Sequence, residues 1–159
     1  MRININISSQ QLVLYDDSGN IVRVYPISTA RRGVGEESGS LCTPRGNHIV
    51  RAKIGAEQPV NTVFVGRRSA GQIYSAEMGR EMPDRDWILS RILWLSGCEP
   101  GINRLGSCDT MRRYIYIHGC PDEDVFDRPS SHGCIKLHNP DMLALFRRVA
   151  AGTRVLITE

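Results

Sequence analysis

The sequence predicts a mainly β fold, either a curved β-sandwich or a partly open barrel, with one helix in its C-terminal half. Three observations predict it: N-terminal runs in which apolar and polar residues alternate, a Tyr-Ile stretch at residues 113–117, and a single late segment with helical spacing. The chain has 159 residues, of which 41% are hydrophobic and 23% are charged. That is enough for one core, so we expect a single domain over residues 1–159.

The strand predictions rest on alternation and on turn-forming residues between the runs. Tyrosine and isoleucine alternate at residues 113–117 and favour a pleated surface, so we expect this strand to deliver His118 at its end. Residues 70–86 break the pattern and are expected to be irregular, with a short helix. Strands are expected at residues 3–7, 11–15, 21–27, 48–52, 60–65, 87–95, 113–117, 135–137 and 153–158.

The helix prediction begins at Asn139, a good N-cap, followed by Pro140, which suits the first helical position. Gly152 is expected to stop the helix. The apolar face at helical spacing consists of Met142, Leu143, Leu145, Phe146 and Val149.

Composition argues against several classes of protein. The net charge of +3 is modest and the arginines occur as scattered pairs, so we expect no nucleic-acid partner. No apolar run approaches the roughly 18 residues that a membrane-spanning helix needs. The N-terminus lacks the apolar core of a secretory signal, and the cysteine count of five is odd, so we expect a cytoplasmic protein. A periplasmic location is the alternative if a leader was removed.

Two short stretches carry the chemistry, His118-Gly119 and Ser131-His132-Gly133-Cys134. Cysteine has an appreciable thiolate fraction near neutral pH, and a neighbouring imidazole raises that fraction. The strand–loop–strand spacing predicts that Cys134 is a nucleophile and His118 its general base. The Gly119 carbonyl is expected to accept the other imidazole N–H, because no Asp or Asn partner lies nearby in sequence.

The residues around Cys134 are expected to complete the site. The backbone N–H groups of Gly133 and Cys134 are candidate donors to the oxyanion, and His132 is expected to shape that hole. If Cys134 begins a strand, alternation places Lys136 on the same face. Its ammonium could there stabilise the thiolate or hold a substrate carboxylate.

Two other interpretations of these cysteines and histidines remain open. His118, Cys120, His132 and Cys134 could form a zinc site, although His-x-Cys spacing is unusual for zinc, and we expect neither a metal nor a cofactor. A disulfide between Cys120 and Cys134 would silence the site, which a reducing compartment argues against. The other cysteines and histidines are expected to have no catalytic role. We expect small core residues at Cys42, Cys98, Cys108 and Cys120, and surface or loop residues at His48 and His138.

The run Ser131 to Leu137, with His118-Gly119 upstream and Asn139 and Asp141 downstream, resembles the catalytic signature of the L,D-transpeptidase family. Further similarity over the whole chain lies in Ser8 to Tyr15, Tyr25 to Thr29, Thr43 to Gly46 and Gly152 to Val155. The resemblance implies a β-rich catalytic domain without a cofactor. Its cysteine attacks the bond between meso-diaminopimelate and D-alanine in a peptidoglycan stem tetrapeptide.

By this resemblance Cys134 is the nucleophile, His118 the base, and Ser131, His132 and Gly133 the supporting loop. Ser131, His132 and Lys136 are expected to contact the substrate. An amine acceptor would give a cross-link, whereas water would give L,D-carboxypeptidase activity. Carbapenem acylation of the cysteine is typical of the family. The chain departs from the family in having Cys120 where threonine is usual and Lys136 where arginine is usual, which changes a bidentate donor into a point charge.

The resemblance predicts stem peptides or muropeptides as partners and leaves three functions to be compared. The first is an L,D-transpeptidase acting through a Cys134 thioester. The second is an L,D-carboxypeptidase that releases D-alanine from cytosolic muropeptides during peptidoglycan recycling. The third, from another class, is a non-catalytic module that binds wall peptides or zinc. Residues 74–112 are the least standard part and are expected to form the lid or substrate wall.

Overall fold

The computed structural model describes all residues from 1 to 159. Ten strands form one sheet, and two helices and one short 3₁₀ turn, Gly106–Cys108, accompany it. The strands are β1 (Arg2–Asn6), β2 (Gln11–Tyr15), β3 (Ile21–Pro26), β4 (Gly46–Ile54), β5 (Thr62–Val65), β6 (Arg68–Ile73), β7 (Leu89–Gly97), β8 (Tyr116–Cys120), β9 (Ile135–His138) and β10 (Arg154–Thr158). The helices are α1 (Ala76–Glu81) and α2 (Asn139–Arg148). Neither is long and apolar enough to cross a bilayer.

The sheet runs β3-β2-β1-β10-β4-β7-β5-β6, and it branches at β7, which also pairs with β8. Most neighbours are antiparallel, but β1 pairs with β10 in parallel and β8 pairs with β9 in parallel. The sheet curls into a half-barrel, which confirms the mainly β prediction with one clear late helix. The branch matters for function because it brings β8 and β9, with the predicted chemical residues, onto the long central strand.

The main core lies inside the curl, where alternate strand residues meet one face of α2. In β1, Ile3 and Ile5 are buried while their neighbours are partly or fully exposed. Leu145 of α2 and Ile117 of β8 belong to the same cluster of 20 buried residues. Since burying one large aliphatic side chain contributes about 1.5–3 kcal/mol, this cluster is the principal support for the position of β8 and β9.

Two elements differ from the sequence prediction. Strand β6 occupies Arg68–Ile73 and so extends into the segment from residue 70 that was expected to be irregular. All six of its residues are exposed, so it has no apolar alternation, and its pairing with β5 defines it instead. Strand β8 begins at Tyr116 rather than at residue 113, and Tyr114 just before it has a positive φ of 56°, outside the extended region of regular strands. His118 therefore lies in the middle of a strand.

The start of α2 also differs from the prediction. Asn139 is the first helical residue, and His138 occupies the N-cap position without a capping side-chain bond. The Asn139 side chain is used elsewhere, since its Oδ1 accepts from Ser90 Oγ at 2.6 Å and its Nδ2 donates to Asn61 Oδ1 at 2.7 Å. This buried network fastens the end of β9 to β7 and to the approach to β5.

Both histidines that were expected on the surface take part in packing, so that prediction was wrong. His48 of β4 is 1% exposed, with Nδ1 3.0 Å from Gly46 O and Nε2 3.0 Å from Thr110 Oγ1. His138 is half-buried, stacks on the Phe126 ring at 4.0 Å and donates to a backbone carbonyl. Burial lowers the pKa of His48 to about 4, because the charged ring would lose its hydration.

The buried His48 is expected to make stability fall in mild acid. Above its ordinary pKa of 6.5 both states are neutral, and as the pH falls towards about 4 only the unfolded chain takes up the proton. The free energy of unfolding should decrease by about 2 kcal/mol between pH 7 and pH 4.5 from His48 alone. Urea denaturation at pH 7 and pH 4.5 measures it. His48→Gln should show a smaller loss, and an equal loss in both proteins would contradict the prediction.

Candidate active site

Parallel pairing of β8 with β9 decides which side chains share a face. Ile117 lies opposite Ile135, and His118 lies opposite Lys136. Ile117 and Ile135 point into the main core, so alternation turns His118 and Lys136 to the other face. Cys134, just before Ile135, packs on that second face against a separate apolar cluster. The predicted thiol and imidazole are thus diagonal neighbours on one surface of the sheet.

His118 is held as a neutral ring with one nitrogen free. The side chain is fully buried, and its Nδ1 lies 2.7 Å from the Gly119 carbonyl oxygen. A carbonyl can only accept, so Nδ1 carries the proton and Nε2 carries a lone pair. Nε2 is buried and has no hydrogen-bond partner. Burial lowers the pKa of His118, which keeps the ring able to take a proton.

Cys134 presents a thiol that needs a base. Its Sγ accepts from the Tyr116 N–H at 3.3 Å and lies 3.5 Å from the Tyr114 carbonyl, to which the S–H can donate. Burial raises the pKa of Cys134 to about 12, so the resting sulfur is protonated at neutral pH. The residue as a whole is only half-buried, which leaves a route for a ligand to the sulfur.

Hydrogen bonds within residues 131–134 hold the loop before β9 in place. Ser131, expected to contact substrate, is 1% exposed, and its Oγ donates to the Cys134 carbonyl at 2.5 Å and accepts from the Gly133 N–H at 3.2 Å. Gly133 has a φ of 134°, and a Cβ there would lie 3.1 Å from Ile115 and 3.3 Å from the Cys42 carbonyl oxygen. Glycine is therefore needed for this backbone path.

Of the two amides expected to meet an oxyanion, one is free. The Gly133 N–H already donates to Ser131 Oγ, whereas the Cys134 N–H makes no hydrogen bond within the protein. The His132 N–H donates to Asp86 Oδ2 at 3.3 Å, and the His132 ring is exposed. The Cys134 amide is thus the donor that a developing negative charge could reach.

Lys136 is already engaged by carboxylates. Its Nζ donates to Asp124 Oδ2 at 2.7 Å and lies 3.9 Å from Asp86 Oδ1, and its side chain is 7% exposed. The ammonium therefore ties the 121–130 loop to β9. The sequence pattern placed Lys136 on the correct face but did not reveal these two partners.

Three further charged residues belong to the site and were not predicted. Asp86 and Asp124 have been described, and the third is Arg113. The Arg113 guanidinium donates to the carbonyl oxygens of Gly35 at 3.1 Å and Cys42 at 2.6 Å. It also lowers the pKa of the Cys134 thiol against the effect of burial. The sequence showed Arg113 only as one of several scattered arginines, and its contacts with residues 35 and 42, far away in the chain, follow no local pattern.

A cavity of about 700 Å³ opens beside Lys136 and the exposed His132 ring. Only two of its fifteen lining residues are hydrophobic. Its carboxylates come from the segment before β7 and from the 121–130 loop, and its guanidinium groups come from Arg31, Arg85 and Arg128. Both signs of charge therefore line this space, which borders Lys136 and His132 but has neither Cys134 nor His118 in its lining. A ligand group that fits this cavity is polar and carries charge.

Residues 1–157 match the sequence pattern of the L,D-transpeptidase catalytic domain, named YkuD. The chain belongs to this family. The family resemblance of the Ser-His-Gly-Cys motif is thereby confirmed. The L,D-transpeptidase domain covers all ten strands and both helices, so the thiol, the imidazole and the cavity all lie within it.

Named relatives agree with this membership. The Bacillus subtilis (strain 168) protein YqjB, whose name assigns it to the L,D-transpeptidases, is 44% identical over 47 residues, 30% of this chain and 27% of that protein. The L,D-transpeptidase of Xylanimonas cellulosilytica DSM 15894 is 20% identical with a TM-score of 0.55, over 98% of this chain and 59% of that one. L,D-transpeptidase 3 of Mycobacterium tuberculosis, solved with a faropenem-derived adduct, is 18% identical with a TM-score of 0.58, over 99% and 59%. The chain therefore spans less than two thirds of each relative, and at these identities the structures establish the fold alone.

The other cysteines do not extend the site. All five are free, with Cys108 and Cys120 buried as expected. Cys98 is exposed and Cys42 is half-buried, so the expectation of core positions was wrong for Cys98 and only partly right for Cys42. The four residues considered for zinc, His118, Cys120, His132 and Cys134, do not form a group able to hold a metal ion.

Proposed function

We propose that this L,D-transpeptidase domain cleaves the bond between meso-diaminopimelate and D-alanine in peptidoglycan stem tetrapeptides through a thioester on Cys134. The observation that carries the proposal is the free, buried Nε2 of His118 on the same sheet face as the Cys134 thiol. A thiol whose pKa lies far above neutral needs such a base.

The bond changes follow from these positions. The proton leaves Cys134 Sγ for His118 Nε2, the sulfur attacks the amide carbonyl carbon, and the carbonyl electron pair moves to oxygen beside the Cys134 N–H. The C–S bond remains as the intermediate collapses and the C–N bond breaks. The imidazolium gives its proton to the departing D-alanine nitrogen, which leaves a thioester and a neutral His118.

The charge pattern of the cavity supports a peptide of this kind. A stem tetrapeptide carries carboxylates and an ammonium group, and the cavity offers guanidinium and carboxylate groups in turn. Arg31 and Arg128 suit a substrate carboxylate, whereas Glu123 and Asp127 suit an ammonium. An apolar substrate would leave these charges without partners.

The acceptor that attacks the thioester distinguishes transfer from hydrolysis. The polar, open cavity beside His132 admits water as well as an amine, which favours L,D-carboxypeptidase activity as the second candidate. Formation of the thioester is the same in both cases, and in the second half of the reaction His118 takes a proton from the water or the amine that attacks.

Mass spectrometry of the purified protein with tetrapeptide, with and without an acceptor stem, tests the proposal. We expect a transient protein adduct equal to the tripeptide acyl group, with free D-alanine. A cross-linked dimer indicates transfer, and tripeptide alone indicates hydrolysis. If the wild-type protein forms neither product nor adduct, the proposal fails. Tight tetrapeptide or zinc binding without turnover would then support the non-catalytic module.

A further inference from the structure

Asp86 lies at the centre of the charged groups around the site, although it comes from a distant part of the chain. It belongs to residues 82–88, which connect α1 with β7 without regular structure. Its Oδ2 accepts from the His132 N–H at 3.3 Å, and its Oδ1 lies 3.9 Å from Lys136 Nζ. One carboxylate thus contacts both the loop that carries Cys134 and the residue paired with His118.

The position of Asp86 is fixed by its neighbour. Trp87 is 5% exposed and packs with Val63 and Leu89 in a small apolar cluster. The Tyr74 ring meets the Trp87 ring edge-on at 5.1 Å, and the Arg85 guanidinium lies 4.0 Å from that ring on the outside. A residue beside such an anchor is held in one place, so the carboxylate is a built part of the site.

We propose that Asp86 is a positioning residue for acyl transfer, which fixes the His132 backbone of the nucleophile loop and stabilises the imidazolium formed when His118 takes the proton from Cys134. This inference rests on the proposed function for its role in turnover, but the electrostatic connection between Asp86 and the two reacting groups can be tested without any peptide substrate.

The charged groups near His118 are mostly negative, whereas those near Cys134 are mostly positive. Near His118 the charged groups are Asp86, Asp124 and Lys136, and Asp86 raises the pKa of the imidazole more than any other charge. Its own side chain is 21% exposed, so water only partly screens the carboxylate. Two carboxylates against one ammonium therefore favour the protonated imidazole.

The sulfur has a different set of neighbours. Asp86 raises the pKa of Cys134, but Arg113, Lys136 and the Tyr116 N–H all lower it. These three groups offset the repulsion between the thiolate and the Asp86 carboxylate. At His118, by contrast, no other charge stabilises the buried imidazolium as strongly as Asp86 does. Once the sulfur has attacked the carbonyl and lost its charge, Asp86 no longer repels it. The attraction between Asp86 and the protonated His118 ring remains. Asp86 should therefore matter most in the tetrahedral intermediate.

Asp86→Asn tests the inference by the pH dependence of two rates. The acid limb of kcat/KM for D-alanine release should move to lower pH, because His118 loses its main stabilising charge. The limb for alkylation of Cys134 by iodoacetamide should also move to lower pH, because the thiolate loses a repelling charge. We expect shifts of up to about one pH unit and a plateau of kcat/KM that is about tenfold lower.

Glu81→Gln is the matched control, since it removes one negative charge from an exposed residue at the end of α1 that forms no ion pair. It should leave both profiles unchanged, and Asp86→Glu should recover part of the lost rate. Unfolding of Asp86→Asn would instead expose the sulfur and give alkylation like that of a free cysteine. If Asp86→Asn turns over more slowly but the pH profiles of kcat/KM and of alkylation do not shift, the electrostatic role of Asp86 is wrong.

The two proposals fail in different ways. If the wild-type protein forms no acyl adduct with tetrapeptide while Asp86→Asn still shifts the alkylation limb, the proposed function is wrong and the connection of Asp86 to the site stands. If the wild type turns over tetrapeptide and Asp86→Asn matches it in both profiles, the inference about Asp86 is wrong and the proposed function stands.

Discussion

Cys134→Ala is expected to abolish D-alanine release and to remove the covalent adduct that a carbapenem forms with the protein. The other thiol on this face, Cys120, is fully buried and its pKa is raised by burial, so it cannot replace Cys134 and the rate should fall on the order of 10⁴-fold. The fold should survive, because the sulfur makes only two long contacts, at 3.3 Å and 3.5 Å.

Intact-mass measurement after incubation with imipenem gives the clearest result. An L,D-transpeptidase of similar fold has been solved in complex with imipenem, which makes this β-lactam a suitable probe. Cys98→Ala is the control, since Cys98 is the exposed thiol and should not affect the adduct if labelling is specific. A full adduct on the Cys134→Ala protein would place the nucleophile elsewhere.

His118→Gln is expected to have the second largest effect. A glutamine amide can still donate towards the Gly119 carbonyl, but it cannot take the proton from Cys134. Loss of a general base slows a reaction by about 10²–10⁴-fold. The measurement is the rate of the first turnover, the burst of D-alanine that accompanies thioester formation, compared between the two proteins at pH 7.

The wild-type pH profile provides an independent check on His118. Burial lowers the pKa of this imidazole below its ordinary value of 6.5, so the ring stays able to accept a proton in mild acid. Activity should therefore persist below pH 6.5 and disappear only as the ring becomes protonated at lower pH. A burst of wild-type size in the glutamine variant, or an acid limb above pH 6.5, would contradict the assignment of the base.

Local patterns in the sequence predicted the elements that carry alternation or helical spacing. Strands β1 and β2 lie within one residue of their predicted ranges, and helix α2 begins where predicted to within one residue but ends at Arg148, before the expected stop at Gly152. Each of the three presents one apolar face to the core. Strand β6 has no such face, so only its pairing partner reveals it. His48 was missed for a similar reason, since its burial depends on Thr110, which is distant in sequence.

The residues of the candidate site that lie in the two sequence motifs could be predicted. The residues that the fold brings in from elsewhere in the chain could not. The pair of Cys134 and His118 could be proposed from motif and spacing, and the Gly119 carbonyl could be proposed from the lack of an adjacent carboxylate. Asp86 could not, because it lies in a segment without periodicity, 48 residues before Cys134 in the chain. Lys136 was placed on the correct face by strand alternation, but its partner Asp124 comes from a loop whose path no pattern indicates.

Strand β10 joins β1 to β4, so a strand from the C-terminal part of the domain connects the two parts of the sheet. Its partner in β1 lies about 150 residues away along the chain, and contacts of such long separation form slowly. The inner isoleucines of the β1–β3 meander therefore stay partly uncovered until β10 has been made and has paired with β1. We expect refolding to be slow and sensitive to aggregation, and a chain shortened before residue 154 to leave two unjoined pieces of sheet.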